Sequence, residues 1–116
     1  MRERLPTKRS VTQHSLTIGN HKVVLGLGRY ADGRIGEIWI DAFKDGTAIR
    51  ALTTALARVC SIAIQNGVPT ATISQAMAGI TGEPDGMVIG HDTVKEATSV
   101  PDLVAQILEA EVRQAK

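Results

Sequence analysis

Residues 47–66 read TAIRALTTALARVCSIAIQN. Apolar side chains recur at steps of three and four residues, which is the spacing of a stripe along an α-helix. The stripe consists of Ile49, Leu52, Leu56, Val59 and Ala63, and a second row of Ala48, Ala51, Ala55 and Ile62 widens it. Thr47 is a suitable N-cap, and Asn66-Gly67 followed by Pro69 is a typical stop. The pattern predicts a helix from Thr47 to Asn66 that is covered on more than one side.

The size and composition of the chain restrict its class. At 116 residues it can form one domain, and 13 basic against 12 acidic residues give a net charge of +1. This balance provides no overall field to attract nucleic acid or an anionic membrane. The single cysteine, Cys60, excludes an internal disulfide and a cysteine-built metal site. We expect a cytoplasmic protein that binds neither a membrane nor nucleic acid.

The N-terminus is basic, with Arg2, Arg4, Lys8 and Arg9 around Pro6. We therefore divide the chain into a basic N-terminal arm, residues 1–10, and a single domain, residues 11–116. The composition of the arm favours an extended, solvated tail. The alternative is an arm that grips a partner or an anion.

Residues 11–42 contain three segments with strand character, separated by Gly19-Asn20 and Asp32-Gly33. Each dipeptide suits a two-residue hairpin turn. These turns would pair Leu16 with Val23 and Leu25 with Ile40, and both pairings agree on the two faces of the sheet. The apolar face would hold Leu16, Val23, Leu25, Leu27, Ile38, Ile40 and Ala42, and the polar face Gln13, Ser15, Thr17, Lys22, Glu37 and Asp41. We predict that the helix of residues 47–66 covers the apolar face.

Trp39 departs from this pattern because the register places it on the polar side, opposite Gly26 and close to Gly28. A large ring beside two missing side chains makes a flat, partly apolar patch. Either a subunit partner or the chain's own tail covers it, or it stacks on a planar ligand such as a base.

The rest of the chain predicts two more helices. One follows Pro69 and ends near Gly79, and the other begins at Ser99, where a Ser-x-x-Asp arrangement resembles a capping box. The intervening segment reads as a loop with at most a short strand near residues 87–89. The predicted fold is α+β: an antiparallel β-meander with about three α-helices packed on one face.

The sequence contains no catalytic constellation. Gly26 to Ala31 has the letters of a dinucleotide-binding motif, but no helix follows it. The three histidines lack metal-ligand spacing, and His14 reads as a half-buried, hydrogen-bonded residue. Cys60 on an apolar helical face is a small core residue. We expect no enzymatic activity, no cofactor and no metal site.

Basic residues near the hairpin and the helix start suggest a binding site instead. Arg29, Lys44 and Arg50 could hold a phosphate while Trp39 stacks on a base, and Arg50 lies in the first helical turn, where free amides favour anions. The alternative is ordinary surface pairing of these cations with Glu37, Asp41 and Asp45.

Several short runs, taken together and in order, resemble the C-terminal accessory region of adenosylcobalamin-dependent (class II) ribonucleotide reductases, which contains a domain named for a Thr-Ser-Cys-Pro-Asp run. The runs are RERLP at 2–6, HKVVLGLGRYADGRIGEIWID at 21–41, KDG at 44–46, IQNGVP at 64–69, EPDGMVIGHD at 83–92 and KEATSVPD at 95–102.

The resemblance implies an accessory domain alone, because the radical chemistry, cobalamin contacts and redox cysteines of that family belong to a barrel domain that is absent here. Thr98 and Ser99 match the named run and join the candidate ligand-binding residues. Val100 replaces its cysteine, Trp39 stands where the family usually has phenylalanine, and AGITGEP lacks the aromatic and arginine typical before Glu-Pro. No thiol role of the run is therefore possible.

These observations lead to a hypothesis of a non-catalytic binding module. It would bind a nucleotide-type small molecule or a ribonucleotide reductase subunit, and it would self-associate as a dimer or higher homo-oligomer. An alternative is a stand-alone protein, for instance phage-encoded, that sequesters a host signalling nucleotide or inhibits a host protein. A purely structural, oligomer-forming domain is the third possibility.

Overall fold

The computed structural model describes residues 1–114 as five strands and three helices. The elements are β1 (Ser10–Ile18), β2 (His21–Arg29), β3 (Ile35–Ala42), α1 (Ala48–Gln65), α2 (Thr70–Met77), β4 (Gly86–Ile89), β5 (Glu96–Ala97) and α3 (Val100–Gln114). The strands form one antiparallel sheet in the order β3-β2-β1-β4-β5. The predicted α+β class, with an antiparallel meander and three helices, is confirmed.

The predicted register of the meander is also confirmed. Leu16 lies opposite Val23, and Leu25 lies opposite both His14 and Ile40. At the first turn Gly19 has a φ of 59°, a conformation that glycine adopts without steric cost. The seven residues predicted for the apolar face are all buried.

The second hairpin has a longer turn than predicted. The amide of Tyr30 donates to Arg34 O and the amide of Gly33 donates to Tyr30 O, each at 2.9 Å, so the loop has three residues rather than two. A β-bulge absorbs the extra residue, because Arg29 pairs with Ile35 and leaves Gly36 without a partner in β2. The register beyond the bulge is therefore the one that a two-residue loop would give.

Helix α3 covers the apolar face of the sheet. Its residues Leu103, Ile107 and Leu108 are completely buried, and Glu111 Oε1 lies 2.6 Å from His14 Nε2 of β1, within hydrogen-bond distance. The prediction that the helix of residues 47–66 covers this face holds only at its β3 side, where Ala57 and Cys60 join the same core. Its boundaries were right, since Thr47 caps the helix and Asn66-Gly67 ends it.

Helix α1 instead runs along the edge of the sheet beside β3. The Ser61 hydroxyl accepts a hydrogen bond from Ile38 N at 2.9 Å and lies 3.0 Å from Ile38 O. Gln65 donates to the carbonyl of the bulged Gly36 at 3.0 Å. These polar side chains occupy the edge that a neighbouring strand would otherwise pair with.

This orientation exposes residues that the apolar stripe had placed in the core. Leu52 is 70% exposed and Val59 64% exposed, whereas Thr53, Ala57 and Cys60 are buried. The side of α1 that faces the edge strand is the side that carries hydrogen-bonding groups. The spacing of apolar residues alone does not identify that side. By length and composition, α1 is also the one helix in the described part of the chain that could cross a membrane, a test that core helices pass as well.

The remaining elements lie close to their predicted positions. α2 ends at Met77, near the predicted Gly79, and β4 contains the expected short strand. The two-residue strand β5 was not predicted, because so short a segment has no recognisable pattern.

The N-terminal arm, predicted to be an extended, solvated tail, contacts the rest of the domain at several points. Glu3 N donates to Gln65 O at 2.6 Å, and the Tyr30 hydroxyl donates to Glu3 O. Leu5 lies against Gly36, where a β-carbon would leave it no room. The arm therefore joins the end of α1 to the second hairpin.

Candidate functional site

Trp39 lies where the register predicted, on the polar side of the sheet across Gly26. A β-carbon on Gly26 would fall inside the indole ring, so glycine is required there. Glu37 covers Gly28 in the same way and pairs with Arg9 of the arm. The indole is half-buried.

Arg50 forms hydrogen bonds and ion pairs with several residues at the end of β3. Its Nη1 donates to Asp41 Oδ1 at 2.7 Å and to the carbonyls of Ala42 and Phe43 at 3.1 and 3.3 Å, and its Nε lies 3.4 Å from Asp45. Phe43 has a φ of 69°, which is unusual for a residue with a side chain. The arrangement matches the ordinary surface pairing that was the alternative to a phosphate site.

Arg29 lies at the opposite end of the β2–β3 ribbon. It pairs with Ile35, whereas Arg50 contacts Asp41, six residues further along β3. At about 3.3 Å per residue these points are roughly 20 Å apart. Arg29 and Arg50 therefore cannot hold one phosphate, while the exposed Lys44 lies at the Arg50 end.

Thr98 and Ser99 form the start of α3. Ser99 Oγ accepts from Asp102 N at 3.0 Å, and Asp102 Oδ2 accepts from Thr98 N at 3.0 Å, a reciprocal cap close to the predicted capping box. Burial alone would raise the pKa of the Asp102 carboxyl, but hydrogen bonds from Gly79 N, Thr98 N and Gln106 outweigh burial and lower it. Both residues have a structural role here.

The six candidate residues therefore occupy separate regions. Trp39 lies in the middle of the polar face, Lys44 and Arg50 at one end of β3, Arg29 at the other, and Thr98-Ser99 at the α3 cap. Thr98 lines a cleft of about 420 Å³ beside the α3 cap, and Arg29 lines a separate cleft at the second hairpin.

This cleft, of about 390 Å³, lies between the second hairpin and the C-terminal end of α1. Arg29, Tyr30 and Arg34 border it on the hairpin side. Its apolar wall consists of Ile35, Ile64, Val68, Pro69 and Val112. We call it the hairpin cleft. Sequence reasoning missed it because its walls come from three distant parts of the chain; the turn sequence GRYADGR is the one local signal of its polar side.

The charged side chains around the hairpin cleft differ in whether an opposite charge pairs with them. Asp32 accepts from Arg34 Nε at 2.7 Å and from Arg34 N at 3.1 Å, and these bonds lower its carboxyl pKa. Arg34 also pairs with Glu3 at 3.0 Å and lies 4.6 Å above the Tyr30 ring. Among the described residues, the one hydrogen bond that Arg29 donates is to a carbonyl, Gly33 O, at 2.9 Å.

Two of the three histidines, His14 and His91, form a second polar cluster beneath the sheet. His14 is bonded to Glu111, which confirms the prediction of a half-buried, hydrogen-bonded residue. Its ring centroid lies 5.4 Å from that of His91, whose Nδ1 accepts from Thr93 N and Val94 N at 3.1 Å. In the part of the chain that the structure describes, no group of three or more His, Cys, Asp or Glu residues is arranged to hold a metal ion.

A further surface lies on the outward side of α1. We call it the outer face of α1, and its exposed residues are Ala51, Leu52, Ala55, Val59 and Ile62. They are spaced by three and four residues, so they form a continuous apolar strip, with Arg58 beside it.

Comparisons with known proteins agree with the sequence resemblance. The TSCPD domain family model matches residues 2–112. A vitamin B12-dependent ribonucleotide reductase from Agrobacterium fabrum is 45% identical over 103 residues, and one from Bradyrhizobium diazoefficiens is 41% identical over 103 residues. A third, from Rhodopirellula baltica, is 36% identical over 107 residues. No solved structure matches the chain.

The matched region is a small part of each relative. It covers 89% of this chain but 8% of the Agrobacterium and Bradyrhizobium proteins, and 92% of this chain but 10% of the Rhodopirellula protein. The similarity therefore concerns one domain of these reductases and not their whole length. The chain belongs to the TSCPD domain family.

Proposed function

We propose that this chain is a non-catalytic accessory domain that docks onto the catalytic part of a B12-dependent ribonucleotide reductase through the outer face of α1. The observation that supports the proposal most directly is the exposure of Leu52, Val59 and Ile62, at 70%, 64% and 45%. Apolar patches of this kind on a small domain are typical of protein interaction surfaces.

The energy available at this face is sufficient for a specific contact. Burying a large aliphatic side chain contributes roughly 1.5–3 kcal/mol, so three partly exposed residues contribute about 3–6 kcal/mol. The alanines between them let a partner approach closely. The other side of α1 is fixed to β3 through Ser61 and Gln65, so the outer face is presented on a rigid element.

Two considerations favour a reductase over a second copy of the chain. The TSCPD region is about a tenth of the relatives it matches, so in those proteins much more chain is available to cover this domain. In addition, Arg58 lies beside the outer face, and α1 contains no acidic residue. Two copies packed through this face would bring their Arg58 side chains close together with no acidic residue of α1 to pair with them.

The test is binding to the Agrobacterium fabrum reductase from which the matching segment has been removed. We expect Leu52→Asp with Val59→Asp to weaken binding at least about tenfold, because two charges would be buried in an apolar contact. Met87→Asp with Ile89→Asp is the matched control, since these residues are 67% and 59% exposed but lie on β4.

Equal weakening by both pairs of substitutions, or no binding by the unmodified chain, would contradict the proposal. Light scattering identifies the competing arrangement. If the chain does not bind the reductase but forms a dimer, and Leu52→Asp dissociates that dimer, the outer face of α1 would be assigned to self-association.

A nucleotide-type ligand at Trp39 is a second candidate function. It is supported by the half-buried indole, which lies on a patch of small residues around Gly26 and Gly28. Because Trp39 is the only tryptophan, stacking of a base would quench its fluorescence directly. Titration with ribonucleotides, deoxynucleotides and cyclic nucleotides tests this, and an unchanged emission throughout would reject it.

A further inference from the structure

We propose that the hairpin cleft binds a small organic anion with a flat, apolar body, and that Arg29 holds the anionic group. This site is separate from both Trp39 and the outer face of α1, so it goes beyond the functions proposed above. It depends on three features: the size and walls of the cleft, the state of Arg29, and a buried hydroxyl in the adjoining groove.

The dimensions suit a compact organic molecule. A volume of about 390 Å³ is within the range of small-molecule sites in proteins. One wall is apolar, formed by Ile64, Val68 and Val112 around the buried Ile35. On the hairpin side, Arg34 lies 4.6 Å above the ring of the buried Tyr30, so its planar guanidinium borders the cleft there. A flat apolar body would contact both walls.

Arg29 provides the charge that such a ligand would match. In the described residues no carboxylate forms an ion pair with it, because Asp32 and Glu3 are bonded to Arg34. Its bond to Gly33 O uses one donor of Nη1 and fixes the guanidinium at the cleft. The remaining donors can bind a carboxylate or phosphate in two-point geometry. Partial burial reduces screening by solvent ions.

The adjoining groove adds a second recognition point. This groove, of about 270 Å³, lies between α2 and α3 and shares Thr70 and Val112 with the hairpin cleft. Ser74 lines it, is 1% exposed, and its hydroxyl has no hydrogen-bond partner in the described structure. Buried hydroxyls normally form a hydrogen bond, so a polar group of the ligand would supply the missing partner of the Ser74 hydroxyl.

The two recognition points together define the expected ligand. It has one anionic end at Arg29 and a hydrogen-bonding end near Ser74.

The experiment uses the full chain and three probes: inorganic phosphate, deoxyadenosine monophosphate, and 8-anilinonaphthalene-1-sulfonate, an aromatic sulfonate that fluoresces in apolar sites. Calorimetry and fluorescence should give saturable one-to-one binding of at least one aromatic probe. Phosphate alone should bind at least about tenfold more weakly, because it cannot use the apolar wall. The two aromatic probes distinguish a nucleotide from a non-nucleotide body.

The variants locate the site. Arg29→Met should weaken binding of the aromatic anion at least about tenfold, and Val68→Ser by about threefold or more. Lys44→Met removes the same charge about 20 Å away and should change the affinity less than twofold. Leu52→Asp should also have no effect, which excludes adsorption to the outer face of α1.

Three results would overturn the proposal: no saturable binding of any probe, loss of binding in Leu52→Asp, or loss in Lys8→Met with Val68→Ser unaffected. The last would place the anion in the neighbouring cavity, of about 400 Å³, that Arg29 shares with the arm. Circular dichroism checks that each variant is folded. If Arg29→Met does not fold, Val68→Ser still tests the location.

Discussion

Replacing Ser61 with alanine removes the hydroxyl that joins α1 to β3. In the native protein this hydroxyl accepts from Ile38 N at 2.9 Å and lies near two carbonyls, Ile38 O at 3.0 Å and Ala57 O at 2.9 Å. Because the helix covers this strand edge, water cannot readily replace the lost acceptor. The Ile38 amide would be left buried and unpaired.

The expected cost follows from that unpaired amide. A buried donor without a partner costs about 1–3 kcal/mol, whereas the gain in helix propensity from serine to alanine is at most about 0.5 kcal/mol. We therefore expect the free energy of unfolding to fall by about 0.5–2.5 kcal/mol. For a domain of this size the melting temperature should fall by roughly 4 °C for each kcal/mol.

Urea unfolding followed by circular dichroism measures the effect. The dependence of the unfolding free energy on urea concentration should be unchanged if only the native contact is lost. Thr54→Ala is the matched control, since Thr54 is on the same helix and only partly buried. A Ser61→Ala stability within about 0.5 kcal/mol of the unmodified protein would refute the idea that this hydroxyl satisfies the sheet edge.

Three further predictions concern other parts of the molecule. Gly26→Ala should displace the Trp39 ring, shift the tryptophan emission and cost roughly 1–3 kcal/mol, because the new β-carbon overlaps the indole; an unchanged spectrum would contradict this. The pKa of the Asp102 carboxyl is lowered, so its ionised form stabilises the folded protein. This stabilisation is fully present above the ordinary aspartate pKa and is lost as the pH falls through the lowered pKa. Asp102→Asn should therefore be less stable at pH 7 and should show a shallower acid dependence, measured by urea unfolding at several pH values, and an unaltered acid dependence would argue against it. Ser74→Ala removes an unpaired buried hydroxyl and should raise the melting temperature of the ligand-free protein, and a lower value would show that the hydroxyl is bonded in solution.

The parts of the fold that the sequence predicted are those with local signals. The turn at Gly19 sets the pairing of Leu16 with Val23, and one alternation of apolar residues then determines both faces of the meander. The position of Trp39 follows from the same count. The caps at Thr47 and Ser99 also depend on neighbouring residues only.

The orientation of α1 depended on contacts between distant residues. Its alanine-rich sequence gives a plausible apolar stripe on more than one side, so periodicity could not select the buried side. The choice is made by Ser61 and Gln65, which meet backbone groups of a strand edge more than twenty residues away. A bulge at Gly36 creates one of those acceptors, and the turn dipeptide alone did not indicate it.

The candidate site was predictable only in part for the same reason. Individual residues such as Arg29 and Trp39 were identified by residue type, but their separation along the ribbon could not be seen until the register was known. The hairpin cleft brings together residues 29–35, 64–70 and 112, which share no sequence pattern. The pairing of Arg50 with Asp41 was one of two readings that the sequence left open.

The anchored arm bears on where this domain can be cut. Composition places the boundary after residue 10, yet Glu3 alone contacts the backbone of Gln65, the Tyr30 hydroxyl and the Arg34 guanidinium. A truncated protein starting at residue 11 would lose these contacts, and Leu5 would no longer cover Gly36. Fusion partners and affinity tags should therefore leave the first ten residues intact.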